Sequence, residues 1–169
     1  ATLLGTLAAV GIQGMKKASK SATLNFTYLP IVSPEIILGV SLMLLFVLFN
    51  FNFGIGTLII AHITFNLPYV ILCVMPKLRQ VDKHIFEAAL DLGCTARQAF
   101  VKVMLPEIMP GIVTGFLMSL TFSLDDFNVS YFVSGDKFQT LPILIYSMTR
   151  RRISPEINAI PTLLFVSVL

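Results

Sequence analysis

The chain has 169 residues, 56% hydrophobic and only 12% charged, with a formal net charge of +3 and a mean hydropathy of +0.85. Soluble domains carry about 25% charged residues, so this composition excludes an ordinary water-soluble domain and weighs against a nucleic-acid reader despite the basic balance. The two cysteines and two histidines are scattered and form no metal-ligand cluster, and there is no phosphate-binding glycine loop or Ser-His-Asp signature.

In chain order, residues 1–13 are apolar but too short to cross a bilayer and read as a partial span. A cleaved signal peptide there lacks the small-residue cleavage pattern. Lys16, Lys17 and Lys20 follow. Residues 26–49 read as one span, bent near Pro30 and Pro34, residues 50–56 as a tight Asn/Gly turn, and residues 57–75 as the next span. From Ile36 to Pro76 there is no Asp, Glu, Lys or Arg. That run is long enough for two spans of roughly 20 residues each. Residues 76–107 are the long charged segment. Residues 108–133 form a third complete span, interrupted by Asp125 and Asp126, and residues 156–169 form a second partial one. Incomplete spans at both ends, with an Ala in first position, predict a single domain that is a piece of a longer membrane protein. Ser-Pro-Glu-Ile occurs at 33–36 and again at 154–157. Each copy reads as a helix start with Ser as N-cap and Pro in the first turn.

Positive charge orients the chain. With residues 76–107 in the cytoplasm, Lys16, Lys17 and Lys20 are also inside and the turn at 50–56 is outside. Lys137, Arg150, Arg151 and Arg152 then fall outside, against the trend. Cys73 and Cys94 lie at the reducing side, where a disulfide is disfavoured. His62 reads as a helix-packing residue before a proton relay. Glu35 reads as a cap at the inner interface, with a transport role as the alternative.

The stretch 87–106, Glu-Ala-Ala-Leu-Asp-Leu-Gly-Cys-Thr-Ala-Arg-Gln-Ala-Phe-Val-Lys-Val-Met-Leu-Pro, predicts two short helices around one glycine. The first begins near Asp82, with Lys83 and Glu87 as an i, i+4 pair. Gly93 supplies the left-handed residue that ends it. Thr95 and Gln98 make a capping box for the second, which runs to Met104. A DNA-binding helix-turn-helix has the same outline, but this unit is tethered by a span at each end. Glu87 and Asp91 are like charges at i, i+4, an arrangement that suits a basic partner.

Here the sequence resembles the inner-membrane permease subunits of binding-protein-dependent ABC importers. Their cytoplasmic motif is Glu-Ala-Ala, three residues, Gly, nine residues, an aliphatic residue, one residue, Leu-Pro. This chain supplies Glu87, Ala88, Ala89, Gly93, Val103, Leu105 and Pro106, with Asp91 between, and Val103 stands where Ile is commoner. The resemblance implies that residues 82–104 are coupling helices docked in a cleft of an ATP-hydrolysing subunit. It also implies an all-α, polytopic type I importer transmembrane domain.

The stretches Ser-Leu-Asp-Asp-Phe-Asn-Val-Ser-Tyr-Phe-Val-Ser-Gly (123–135), His-Ile-Thr-Phe-Asn-Leu-Pro-Tyr-Val (62–70) and Ser-Pro-Glu-Ile-Ile-Leu-Gly-Val (33–40) are similar to the spermidine/putrescine permeases, the shorter of their two subunits. The arginine triplet at 150–152 departs from that pattern. An ionised carboxylate inside a span is expensive and calls for a partner. Gly111, Gly115, Ser119, Ser123, Asp126 and Ser130 fall on one helical stripe, with Asp125 on the next and Phe122, Phe127, Tyr131 and Phe132 around them. Carboxylates among aromatic rings suit alkylammonium groups. The candidate substrate path is therefore Asp125, Asp126, Ser123, Ser130, Phe122 and Tyr131, with Asp126 facing it. The alternative is that the small residues pack helices and the aspartates mark the helix exit.

The sequence thus predicts a permease subunit for polyamines that is not itself an enzyme and carries no cofactor. Its expected partners are a pair of ABC ATPase subunits, a second permease subunit, a periplasmic or lipid-anchored polyamine-binding protein and membrane lipid, with no nucleic acid. Iron, sulfate or thiamine importers are the alternatives within the class. Outside it stand an ATP-independent channel and a DNA-binding protein.

Overall fold

A computed structural model describes residues 1–136, 138–149, 159, 161–163 and 166–167, and the backbone alone of Lys83. Arg150, Arg151 and Arg152, the second Ser-Pro-Glu-Ile copy and most of the expected last span lie outside the described residues. The described residues are all-α. The helices are α1 (Thr2–Gln13), α2 (Lys17–Val32), α3 (Glu35–Leu48), α4 (Ile55–Gln80), α5 (Lys83–Asp91), α6 (Ala96–Ala99), α7 (Leu105–Asp125), α8 (Asn128–Val133) and α9 (Leu141–Thr149). A π-helical turn, Phe100–Met104, joins α6 to α7.

Two long helices form the axis. α4 has 26 residues, and α6, the π turn and α7 make one rod, Ala96–Asp125, of 30 residues. At 1.5 Å per residue each exceeds the hydrocarbon thickness of roughly 30 Å. They lie side by side because the seam is small. A methyl added to Gly111 would stand 2.9 Å from the Cys73 carbonyl oxygen, and one on Gly115 would stand 3.2 Å from Val70 Cα. Gly111 and Gly115 are therefore points of close helix packing. α1 lies across one end of this pair, and Ala9, Ile12, Val70, Ile71, Val74, Met75, Leu78 and Ile108 form a core there. At the other end α3, α4 and α8 enclose Phe46, Ala61, Val129 and Val133. Thr57 ties this end together, its hydroxyl 2.8 Å from the Val133 carbonyl.

The expected single span 26–49 is two helices. α2 begins at Lys17, and α2 and α3 meet at 106°. Pro34 is the cause. It pushes Ser33 to φ −76°, ψ 139°, because its ring disfavours helical geometry in the preceding residue. Ser33 does not cap α3 as expected. Its hydroxyl donates back to the Leu29 carbonyl at 2.8 Å, and Pro34 is the N-cap.

The expected span 108–133 also differs. Its helix begins before the motif's Leu-Pro and ends at Asp125, where Asp126 turns extended (φ −66°, ψ 113°). α8 is a separate helix. The carboxylates therefore sit at a break between two helices and not within one.

Candidate functional site

The loop between the two long helices is built locally. Asp82 opens α5 by accepting the His84 backbone N–H at 2.9 Å. Gly93, at φ +86°, closes it. The Gly93 N–H donates to the Leu90 carbonyl (2.9 Å) and the Cys94 N–H to the Ala89 carbonyl (3.1 Å), the paired bonds of a Schellman motif. Thr95 and Gln98 then exchange side-chain and backbone bonds, Thr95 N–H to Gln98 Oε1 at 2.9 Å and Gln98 N–H to Thr95 Oγ1 at 3.3 Å. The expected glycine turn and capping box are thus both present.

The second expected helix does not end at Met104. Leu105 N–H donates to the Phe100 carbonyl, five residues back, because Pro106 has no N–H to offer and its ring displaces the carbonyl four residues before it. The turn widens and the helix continues. α5 therefore sits at the base of a continuous rod. α5 packs on α6 and the π turn; Ala89 and Ala99 are buried beneath it. Glu87, Ala88, Asp91 and Leu92 face outward, Leu92 86% exposed, and Val103 and Leu105 are half-buried. Glu87 pairs with His84 (3.6 Å), a neighbour that sequence reasoning passed over. The side chain of Lys83, the partner expected for Glu87, lies outside the described ones.

At the far end of the rod, a cavity of about 200 Å³ is lined by Pro30, Glu35, Leu38, Phe65, Tyr69, Phe122, Asp125, Asp126, Phe127, Asn128 and Val129. Three carboxylates and four aromatic rings thus meet where α2, α3, α4, α7 and α8 converge. The Tyr69 and Phe122 rings meet at a tilt of 51°, 4.5 Å between centroids. Glu35 reaches the cavity because the α2–α3 break turns the start of α3 toward α8. There Asn128 Nδ2 donates to Glu35 Oε2 at 2.8 Å, and Gly39 allows α3 within contact of Val129 and Phe132. Glu35 therefore lines the cavity while bonded to α8.

The two aspartates both line the cavity but differ in their bonding. Asp126 is committed to protein. It accepts the Val129 N–H (3.1 Å), the Ser130 N–H (2.7 Å) and the Ser130 hydroxyl (2.6 Å), and its side chain is 5% exposed. Asp125 is exposed. Ser123 and Ser130 do not line the cavity. They bond His62, Ser123 Oγ 2.7 Å from Nδ1 and Ser130 Oγ 3.0 Å from Nε2. Tyr131 faces a separate outer groove with Phe132, Phe53 and Phe138. Phe65 and Tyr69 were missed, although with His62 they fall at i, i+3 and i+7 on one face of α4, a readable signal.

Long apolar helices around a carboxylate-lined cavity, joined by one rod to a capped helix pair, define a type I importer transmembrane domain. The chain belongs to the family described as binding-protein-dependent transport system inner membrane component, which matches residues 1–169. It is 39% identical to the spermidine/putrescine transport system permease protein PotC of Escherichia coli and 37% identical to that of Haemophilus influenzae, each over 98% of this chain. It is 41% identical to the putrescine transport system permease protein PotI of Escherichia coli over 99% of this chain. The chain spans 63%, 65% and 62% of these three relatives' lengths.

Proposed function

We propose that the chain forms the core of a permease subunit that imports polyamines, with the cavity at Glu35, Asp125 and Asp126 as the substrate path. The observation that carries this reading is the cavity's chemistry. A polyamine bears several ammonium groups on a flexible apolar chain. Glu35 and Asp125 can accept charge-assisted bonds, and Phe65, Tyr69, Phe122 and Phe127 offer ring faces to the cations and the methylenes between them. Sulfate would be repelled by the same carboxylates. The identity to proteins named for spermidine and putrescine transport supports the choice over iron or thiamine.

In this reading residues 82–104 face the cytoplasm and dock on an ATPase pair, which hydrolyses the ATP. The exposed Leu92, Ala88, Glu87 and Asp91 form the contact, and the rod carries its displacement to Asp125. A second permease subunit and a periplasmic or lipid-anchored binding protein complete the complex. Uptake of labelled spermidine and putrescine, with a neutral solute of similar size as control, by the full-length assembled transporter in vesicles tests the reading. Saturable ATP-dependent uptake of the amines, weakened by Asp125→Asn, is expected. Equal uptake of the neutral solute, or none of the amines, overturns it.

A further inference from the structure

His62 sits two turns into α4, with its side chain 15% exposed. Its ring touches Phe65 at 5.1 Å between centroids, and it takes part in hydrogen bonds to residues 61 and 68 positions away. For a neutral imidazole the bonding pattern has one consistent direction. The Ser130 hydroxyl is 2.6 Å from Asp126 Oδ2, a carboxylate oxygen that can only accept, so Ser130 donates there. Ser130 Oγ must then accept from His62 Nε2–H at 3.0 Å. With its proton on Nε2, neutral His62 presents Nδ1 as an acceptor, and the Ser123 hydroxyl donates to it at 2.7 Å. The chain runs Ser123 to His62 to Ser130 to Asp126. It starts on α7, crosses α4 and ends on the residue that turns the backbone into α8. Among the described residues the charged group facing the ring is Asp126, its Oδ2 3.6 Å from Nε2.

We propose that His62 is the positioning residue of the substrate cavity. By holding the last turn of α7 through Ser123 and the first turn of α8 through Ser130 and Asp126, it fixes the break between them. That break carries Asp125, Phe127 and Asn128 into the cavity, and through Asn128 it also orients Glu35. His62 does not line the cavity itself and acts through the residues that do. Imidazole suits the task because it accepts on one nitrogen and donates on the other across a ring, in opposite directions. No aliphatic or hydroxyl side chain spans that gap. This inference rests on the proposed path and names what sets its geometry.

The test is a double-mutant cycle on uptake by the full-length assembled transporter, with complex yield and basal ATP hydrolysis measured in parallel. Ser123→Ala removes one bond and little volume, and His62→Leu removes both bonds. Each is expected to raise the spermidine KM roughly three- to tenfold, the range of one lost neutral hydrogen bond or a little more, with yield retained for Ser123→Ala. In an Asp125→Asn background the same changes are expected to add little, because their target is already gone. His62→Gln, which keeps an acceptor and a donor, is expected to recover part of the loss. Additive effects, or loss of yield at unchanged KM in Ser123→Ala, would make the contact merely structural and overturn the inference. If Asp125→Asn and Glu35→Gln themselves leave uptake unchanged, the substrate path is wrong. If they matter and Ser123→Ala and His62→Leu do not, only the positioning role fails.

Discussion

Asn128 donates a 2.8 Å hydrogen bond to Glu35 across 93 residues of chain, joining the first residue of α8 to the first residue of α3. Both ends of this bond exist because a helix stops. Pro34 breaks the α2–α3 pair and Asp126 breaks α7 from α8. Two broken helices thus present their ends to one cavity, with Tyr69 and Phe65 of unbroken α4 as its wall. Glu35→Gln keeps the volume and an acceptor for Asn128 but removes the charge. Polyamine affinity of the assembled transporter, measured by titration calorimetry or uptake, is expected to fall several-fold, with assembly intact.

Asp125→Asn and Asp126→Ala are expected to separate function from stability. Asp125 is exposed at the cavity and makes none of the bonds that hold α8. Its neutralisation should weaken amine uptake roughly tenfold, the scale of one charge-assisted bond, at unchanged thermal stability. Asp126→Ala removes the acceptor for two backbone N–H groups and the Ser130 hydroxyl. A lost helix cap costs about 0.5–2 kcal/mol, and the stranded buried donors about 1–3 kcal/mol. The midpoint of thermal unfolding in detergent should drop for Asp126→Ala and hold for Asp125→Asn.

Gly93→Val tests the coupling loop. A Cβ at Gly93 meets nothing within 4 Å, so the damage comes from the backbone alone. Holding φ near +86° costs a non-glycine residue roughly 1–2 kcal/mol. Relaxing it re-aims α5 on the rod. ATP hydrolysis by the assembled transporter should lose its stimulation by substrate, while membrane insertion is unchanged. Gly93→Asn should be milder, since Asn tolerates the left-handed region. Equal coupling in both variants and the unmodified protein would contradict this role for the loop.

The α4–α7 seam gives a contrast between glycines. Gly111→Ala puts a methyl 2.9 Å from the backbone oxygen of Cys73, which cannot swing away. It should lower the thermal midpoint and disturb the rod's seating. Gly11→Ala on α1 meets nothing within 4 Å and should be neutral or stabilising by about 0.5–1 kcal/mol. Thermal scans of the two variants in the same detergent check both signs.

Cys94 is half-buried beside the glycine turn. If residues 82–104 dock on an ATPase, modification of Cys94 by an aqueous maleimide should slow when the ATPase pair is present and change again with ATP. An unaltered rate on assembly would place the docking surface elsewhere.

What the sequence determined alone are the features whose causes lie within a few residues. The uncharged run from Ile36 to Pro76 implies a bilayer because hydrophobic burial follows composition over about 20 residues. Gly93, Thr95 and Gln98 declare their turn and capping box because those bonds close over three to five residues. Pro34 located a bend for the same reason, although its 106° angle depends on what α2 and α3 pack against. The expected helical stripe through Asp126 ends at a definable step. Helical angle bookkeeping over residues 108–133 assumed one continuous helix, and the helix ends at Asp125. Past that point the stripe no longer exists, so Ser130 on α8 turns back to His62, which Ser123 meets from α7. Only the tertiary structure decided which carboxylate is free, because Asp126 is held by a network that runs through His62, 61 residues from Ser123 and 68 from Ser130. Bonds at that separation leave no periodicity in the chain. They become visible only when α4, α7 and α8 have packed.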